Sequence, residues 1–388
     1  MRTTLAPLIV ALVLPACGQS SPPAYDTTAC AGPPLGTIEA RNNAMDAGYE
    51  INRQHDCIDQ TSFKEIERQR AREAAARQLA QIERARMQVE KPPEPIAAEA
   101  TTLAEARAGF VTALARPPER VPALPRPPAE LFVRTSFPAG RNPAAPAFVT
   151  PDPRDGRKRP AILWLTGGDP GALDDFWTKG PDTNDQSARA FREAGLVMMF
   201  PTLRGNTQHG GDKEYFLGEV DDVLAAAEHL AHLPYVDQNR IYLGGHSTGG
   251  TLALLAAGTT HRFAAVFAFG PVADVDRYRH GLVPISFDGH DPRERTLRSP
   301  IHWLGGIASP TYVIEGTSTS GNLGELEKIR RASTNPFLRC IAVDGEDHFS
   351  VLAKLTRVIA ARLAVEPDGI PFDLKEDEFQ PAGAATAR

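Results

Sequence analysis

From residue 130 onwards, short runs of almost uninterrupted apolar residues alternate with longer stretches in which apolar positions recur at helical spacing. Residues 131–137, 147–150, 161–165, 196–200, 241–243, 263–269, 311–314 and 338–343 read as strands. Residues 182–194, 220–233, 251–257, 323–331 and 350–364 read as helices. Strands that lack apolar–polar alternation are buried on both faces. The pattern therefore predicts an α/β domain with a mostly parallel sheet and helices on both sides. Upstream the pattern differs. Residues 62–89, rich in Ala, Arg, Glu and Gln, predict one long helix, with Ser62 and Glu65 as its capping box and a thin apolar face. Lys91-Pro-Pro-Glu-Pro ends it, 103–115 read as a second short helix, and 116–128 form a Pro-rich extended connector. The expected divisions are a signal segment at 1–16, a tether and small cysteine-containing region at 17–61 and a helical, Pro-rich region at 62–129. The main domain then runs over 130–366, with a tail at 367–388.

The N-terminus adds a location. Met1-Arg2 precedes an apolar run over 5–14, too short to span a membrane comfortably, and the run ends at Leu14-Pro15-Ala16-Cys17. This is similar to a bacterial lipobox, in which the cysteine becomes the lipidated first residue; the alternative is an ordinary secretory signal with Cys17 incidental. Gly18-Gln19-Ser20 carries no aspartate, a pattern that goes with the outer membrane. The expectation is a cell-envelope protein facing the periplasm, held to the membrane by a lipid anchor. In that oxidising compartment Cys30 and Cys57 can pair, or stand as two unrelated thiols. Cys340, inside an expected strand, reads as a small buried hydrophobe. The net charge of −6 over 388 residues suggests no nucleic-acid surface. No cysteine spacing suggests a metal site, and no cofactor is expected.

The chemistry lies where strand 241–243 meets helix 251–257. Between them stands Gly245-His246-Ser247-Thr248-Gly249, a G-x-S-x-G motif with a strand before it and a helix after it. That context makes Ser247 a nucleophile on a sharp strand-to-helix turn, with glycines where a Cβ would collide. The amide of Thr248, at the helix N-terminus, can donate to an oxyanion. A second amide is expected from Gly167 or Gly168, in the loop that follows strand 161–165. With further strands downstream, the order is that of the α/β-hydrolase fold. Its general base should follow the last strand, where Asp347-His348-Phe349 stands, so His348 is the expected base.

Several motifs in order carry a broader resemblance. They are Leu165-Thr-Gly-Gly-Asp-Pro-Gly, Phe200-Pro-Thr-Leu-Arg-Gly-Asn with Gly210-Gly211, Glu219-Val-Asp-Asp-Val, Val236-Asp-Gln-Asn-Arg-Ile-Tyr-Leu-Gly-Gly-His-Ser-Thr-Gly-Gly, Arg298-Ser-Pro-Ile and Asp347-His348. Over residues 130–365 the chain resembles the catalytic domain of the prolyl oligopeptidase family. The resemblance implies serine hydrolase chemistry on small peptides, amides or esters, and a structural role for Arg204 in a turn supporting the elbow. Two departures follow. The residues before 130 do not supply the family's propeller. The family pattern His-Gly-x-x-Asp after the seventh strand is replaced by Glu315-Gly316-Thr317-Ser318-Thr319, without the acid. Glu315 could reach His348 through its extra methylene. Asp274, in the loop after strand 263–269, is the alternative acid. The third option is that no acid functions. The readings left open are a peptidase, a carboxylesterase on the same site, or a degenerate hydrolase-fold lipoprotein that binds or scaffolds.

Overall fold

The computed structural model describes residues 30–47, 50–52, 57–59, 65, 66, 69, 73, 102–114, 123–169, 173–205, 208–279, 287–318, 321–365, 372–375 and 378. The expected signal segment and residues 17–29 of the expected tether and cysteine-containing region, Cys17 among them, fall outside these residues. So do Ser62 of the expected capping box and most of the long helix, of which residues 65, 66, 69 and 73 are helical.

Two compact units divide the chain, residues 1–79 and 80–388. In the first, β1 (Cys30–Pro34), β2 (Ile51–Asn52) and β3 (Cys57–Asp59) form an antiparallel sheet in the order β1-β3-β2. Helix α1 (Ile38–Asp46) follows β1, capped by Thr37, whose hydroxyl accepts from Ala40 N at 3.1 Å. Leu35, Ala44 and Ile58 make the small core. Residues 30–34, within the expected tether and cysteine-containing region, are a strand because β3 gives their backbone a partner. Cys57 is buried and disulfide-bonded.

The second unit begins earlier than the sequence suggested. Helix α2 (Leu103–Arg107) carries a capping box between Thr102 and Glu105 and stops at Ala108, before Gly109 at φ 72°. It is shorter than expected because Gly109 adopts a left-handed conformation that ends the helix. Its segment is tied into the main domain. Arg107 pairs with Asp221, and Thr112 Oγ1 donates to Glu294 while accepting from Arg298. Residues 102–114 therefore belong with the main domain.

The main sheet comprises β4 (Val133–Ala139), β5 (Asn142–Val149), β6 (Arg159–Leu165), β7 (Val197–Pro201), β8 (Val236–His246), β9 (Ala265–Phe269), β10 (Thr311–Gly316) and β11 (Leu338–Val343). Its order is β11-β10-β9-β8-β6-β7-β5-β4. β5 runs antiparallel to both neighbours, and the strands from β7 to β11 are parallel. This is the α/β-hydrolase arrangement. Successive residues of β6 enter different cores: Leu163 and Leu165 pack with α4 (Glu219–Ala231), α5 (Thr248–Ala257) and α8 (Leu323–Ala332), whereas Ile162 and Trp164 pack with α3 (Ala190–Glu193) and α9 (Ser350–Val365). Helices thus cover both faces. All ten residues of α5 are buried, so its sequence is small and apolar throughout rather than amphipathic.

Two local expectations change. The helix read over 182–194 is reduced to α3. Asp185 accepts from Gly180 N, Ser187 N and Ser187 Oγ, and these side-chain bonds hold the preceding residues in turns. Residues 372–375, assigned to a tail, dock on the domain. Phe372 and Leu374 are buried, and the Tyr312 hydroxyl donates to Phe372 O at 2.8 Å.

Candidate active site

Parallel pairing aligns the strand ends. Leu165 stands opposite Gly245, His246 opposite Phe269, Ile314 opposite Phe269, and Glu315 opposite Ala342. Residues 166–168, 247, 270, 315–316 and 344–348 therefore gather at the C-terminal ends of the strands, although they lie far apart in sequence.

Ser247 occupies φ 55°, ψ −113°, a conformation that costs a non-glycine residue on the order of 1–3 kcal/mol. Its surroundings hold it there. Ser247 N donates to Phe269 O at 2.7 Å, and Ser247 O accepts from Thr251 N at 2.9 Å. A Cβ on Gly245 would come within 2.4 Å of Gly249 O; one on Gly249 would come within 2.3 Å of Leu165 O. The two motif glycines are thus imposed by close backbone packing. Along 241–250 Ser247 alone is not buried.

His348 Nδ1 lies 2.8 Å from Glu315 Oε2. The Glu315 carboxylate is fully buried, and buried charge is tolerated only when its lone pairs are used. Gly316 N donates to Oε1 at 2.9 Å and Asn322 N to Oε2 at 3.1 Å. Asn322 Nδ2 also donates to Gly270 O at 2.7 Å, joining the acid's surroundings to the loop after β9. Glycines fit around the pair. A Cβ on Gly270 would lie 2.4 Å from His348 Cε1, and one on Gly321 would lie 3.0 Å from His348 Cβ. Phe269, which anchors Ser247, directly precedes Gly270.

Asp274 is engaged elsewhere. Its carboxylate accepts from Asp276 N, from Ser299 Oγ at 3.0 Å and from Arg295 at 3.3 Å. Of the two carboxylates considered for His348, the geometry joins Glu315 to it and gives Asp274 to the start of a helix, α6 (Asp276–Arg279), and to α7 (Pro292–Arg298).

The Gly-rich loop lies against the serine. A Cβ on Gly167 would stand 3.4 Å from Ser247 Cβ, and Gly168, at φ 79°, gives its carbonyl to Thr248 Oγ1 at 2.8 Å. Thr248 opens α5, where the first N–H groups have no intrahelical acceptor. Arg204 forms a structural ion-pair cluster, with two hydrogen bonds from its guanidinium to Asp222 and one to Glu214. The adjoining Gly218 has no room for a Cβ beside that guanidinium.

His246 was not singled out by sequence reasoning. It occupies the variable position of the motif, with no pattern to mark it. Its Nε2 donates to His348 O at 3.0 Å, its Nδ1 lies 2.9 Å from Gln186 Oε1, and its ring centroid is 4.6 Å from that of His348. Burial lowers its pKa to about 3, with the nearby charge of His348 adding to the effect. His246 is therefore neutral when folded and takes up a proton near 6.5 when unfolded. Between these values the unfolded state binds more protons. The stability this group preserves is complete above about pH 6.5 and is lost as pH falls toward 3. Between pH 7 and pH 5 the loss is on the order of 2 kcal/mol from this residue. Urea titrations at the two pH values should show it, and His246→Gln should flatten the difference. An equal pH dependence in the variant would rule out His246 as its source.

Residues 182–293 match the prolyl oligopeptidase family. Dipeptidyl-peptidase 5 of Porphyromonas gingivalis is 30% identical over 137 residues, a match covering 33% of this chain and 19% of that relative. Among solved structures, Pyrococcus horikoshii acylaminoacyl peptidase is similar with a TM-score of 0.49 and 16% identity, over 62% of this chain and 43% of the other. A Mycobacterium tuberculosis puromycin-hydrolyzing peptidase gives 0.48 and 20%, over 62% and 40%. The chain thus spans less than half the length of each.

Proposed function

We propose that the chain is a serine hydrolase working through an acyl-enzyme, with small peptide or amide substrates favoured and esters as the alternative. The observation that carries this reading is the Glu315–His348 pair at the strand ends beside which Ser247 stands on its strained turn. His348, oriented through Nδ1 by Glu315, takes the Ser247 proton at Nε2 as Oγ bonds to the substrate carbonyl carbon. The amides of Thr248 and of Gly167 or Gly168 donate hydrogen bonds to the developing oxyanion. Collapse breaks the bond to the leaving group, which receives the proton from His348. Water then repeats the sequence and frees Ser247. The family match over residues 182–293 supports a peptidase. A buried, hydrogen-bonded acid counts against the scaffold reading, which was motivated by its apparent loss.

A panel of aminoacyl and peptidyl p-nitroanilides beside p-nitrophenyl esters separates the two substrate classes. A peptidase cleaves anilides in a Ser247-dependent way; turnover confined to esters would favour the carboxylesterase.

The lipoprotein reading is also a proposal, supported by the Leu14-Pro15-Ala16-Cys17 sequence. A disulfide joining Cys30 to Cys57 is consistent with export, since Cys57 is disulfide-bonded and Cys340 is free. When the chain is expressed in a Gram-negative host, the mature protein should begin at a lipidated Cys17 and partition with membranes. Cys17→Ala should abolish that partitioning. An intact N-terminus on a cytosolic protein would end the proposal.

A further inference from the structure

Phe349, the residue after the base, is 44% exposed, unusual for an aromatic side chain so firmly placed. Its backbone N–H donates to Asp347 Oδ1 at 2.8 Å, as does that of Ser350, and Asp347 N in turn donates to Ser350 Oγ. These bonds hold the residue at the start of α9. Its ring stands nearly perpendicular to that of His348, at 82° and 5.0 Å between centroids, and lies 5.6 Å from that of His246. A fixed aromatic ring that leaves nearly half its surface in water retains apolar area that a ligand can cover.

From this geometry we infer that Phe349 is the apolar floor of the leaving-group subsite, and that the preferred substrates carry an aromatic or branched apolar residue after the scissile bond. The inference rests on the serine hydrolase reading and deepens it. When the tetrahedral intermediate collapses, the bond from carbonyl carbon to leaving nitrogen breaks, and that nitrogen takes the proton carried by His348. The departing amine must therefore lie beside His348, whose imidazole the exposed Phe349 ring meets edge to face. In the reverse direction an added amine attacks the acyl-enzyme from the same place and gives its proton to His348; the bond from the acyl carbon to Ser247 Oγ then breaks, Oγ takes that proton, and the new amide leaves. Packing of the amine's side chain against Phe349 favours apolar amines in both directions.

Acyl transfer provides the test. The full chain is acylated with p-nitrophenyl butyrate in the presence of phenylalaninamide or glycinamide, and the butyryl amides are quantified against butyrate. The ratio of the two amides, at equal nucleophile concentration, should favour phenylalaninamide by about tenfold in the wild type. Phe349→Ala should bring the ratio close to one, and Phe349→Leu should retain part of the preference. A merely structural role for Phe349 would lower both products together and leave the ratio unchanged, as would any fold defect. An unaltered ratio in Phe349→Ala, or no preference in the wild type, overturns the subsite. Failure to release p-nitrophenol, or release that survives Ser247→Ala, overturns the serine hydrolase reading itself, and the subsite with it.

Discussion

Ser247→Ala and His348→Ala are each expected to lower turnover by a factor on the order of 10⁴ to 10⁶, and the double variant to be no worse than either single one. The reason is that the two side chains perform one act. Without His348 nothing accepts the serine proton as the new bond forms. Without Ser247 the imidazole has no nucleophile to activate, and the remaining rate comes from the oxyanion donors and binding alone. The structure supplies the link between them. Ser247 is bonded to Phe269 O, Gly270 follows Phe269 and packs on the His348 ring, and His246 holds the His348 carbonyl. Steady-state kinetics of the three variants on a common substrate check this. Multiplying losses would mean that the residues act at separate sites.

Glu315→Gln should keep the fold and lower kcat by a factor on the order of 10³ to 10⁴. The carboxylate accepts from His348 Nδ1, Gly316 N and Asn322 N. An amide of the same shape keeps the volume but loses the charge that stabilises the imidazolium formed during attack, and it can present N–H to Nδ1, selecting the wrong tautomer. Asp274→Asn provides the contrast. That carboxylate is used by Ser299 Oγ, Arg295 and Asp276 N, so kcat should change by no more than a few fold. The comparison is of kcat for both variants with the Tm of each as a folding control. Full activity in Glu315→Gln together with a collapse in Asp274→Asn would move the acid to the loop after β9.

Much of this was legible in the chain because its signals are local. Uninterrupted apolar runs located each strand of the parallel part of the sheet, and the setting of Ser247 between strand and helix identified the elbow. Glu315 was harder to assign. A motif search looks for an aspartate in the loop after β10, at the position of Thr319, whereas here a longer side chain at the strand's end meets His348. Sequence can suggest that reach but cannot choose between Glu315 and Asp274, because the choice depends on which carboxylate the fold brings to His348 and which it gives to Ser299. His246, Asn322, Gly270 and Gly321 were illegible for the same reason. Each is defined by a contact between loops brought together only by strand register. Helix lengths failed where side chains compete for the backbone, as at Asp185, or where a glycine turns left-handed, as at Gly109. The docking of Phe372 and Leu374 depends on Phe267 and Tyr312 standing side by side on β9 and β10, which no local pattern announces.

The central claim is that Ser247 is a nucleophile activated by His348, and the most direct measurement is intact-mass analysis after exposure to a fluorophosphonate, with peptide mapping of the adduct. The account predicts one adduct per chain, located on Ser247, absent from Ser247→Ala and formed far more slowly in His348→Ala and Glu315→Gln. A folded wild-type chain that gains no adduct, or gains one on another residue, would contradict it.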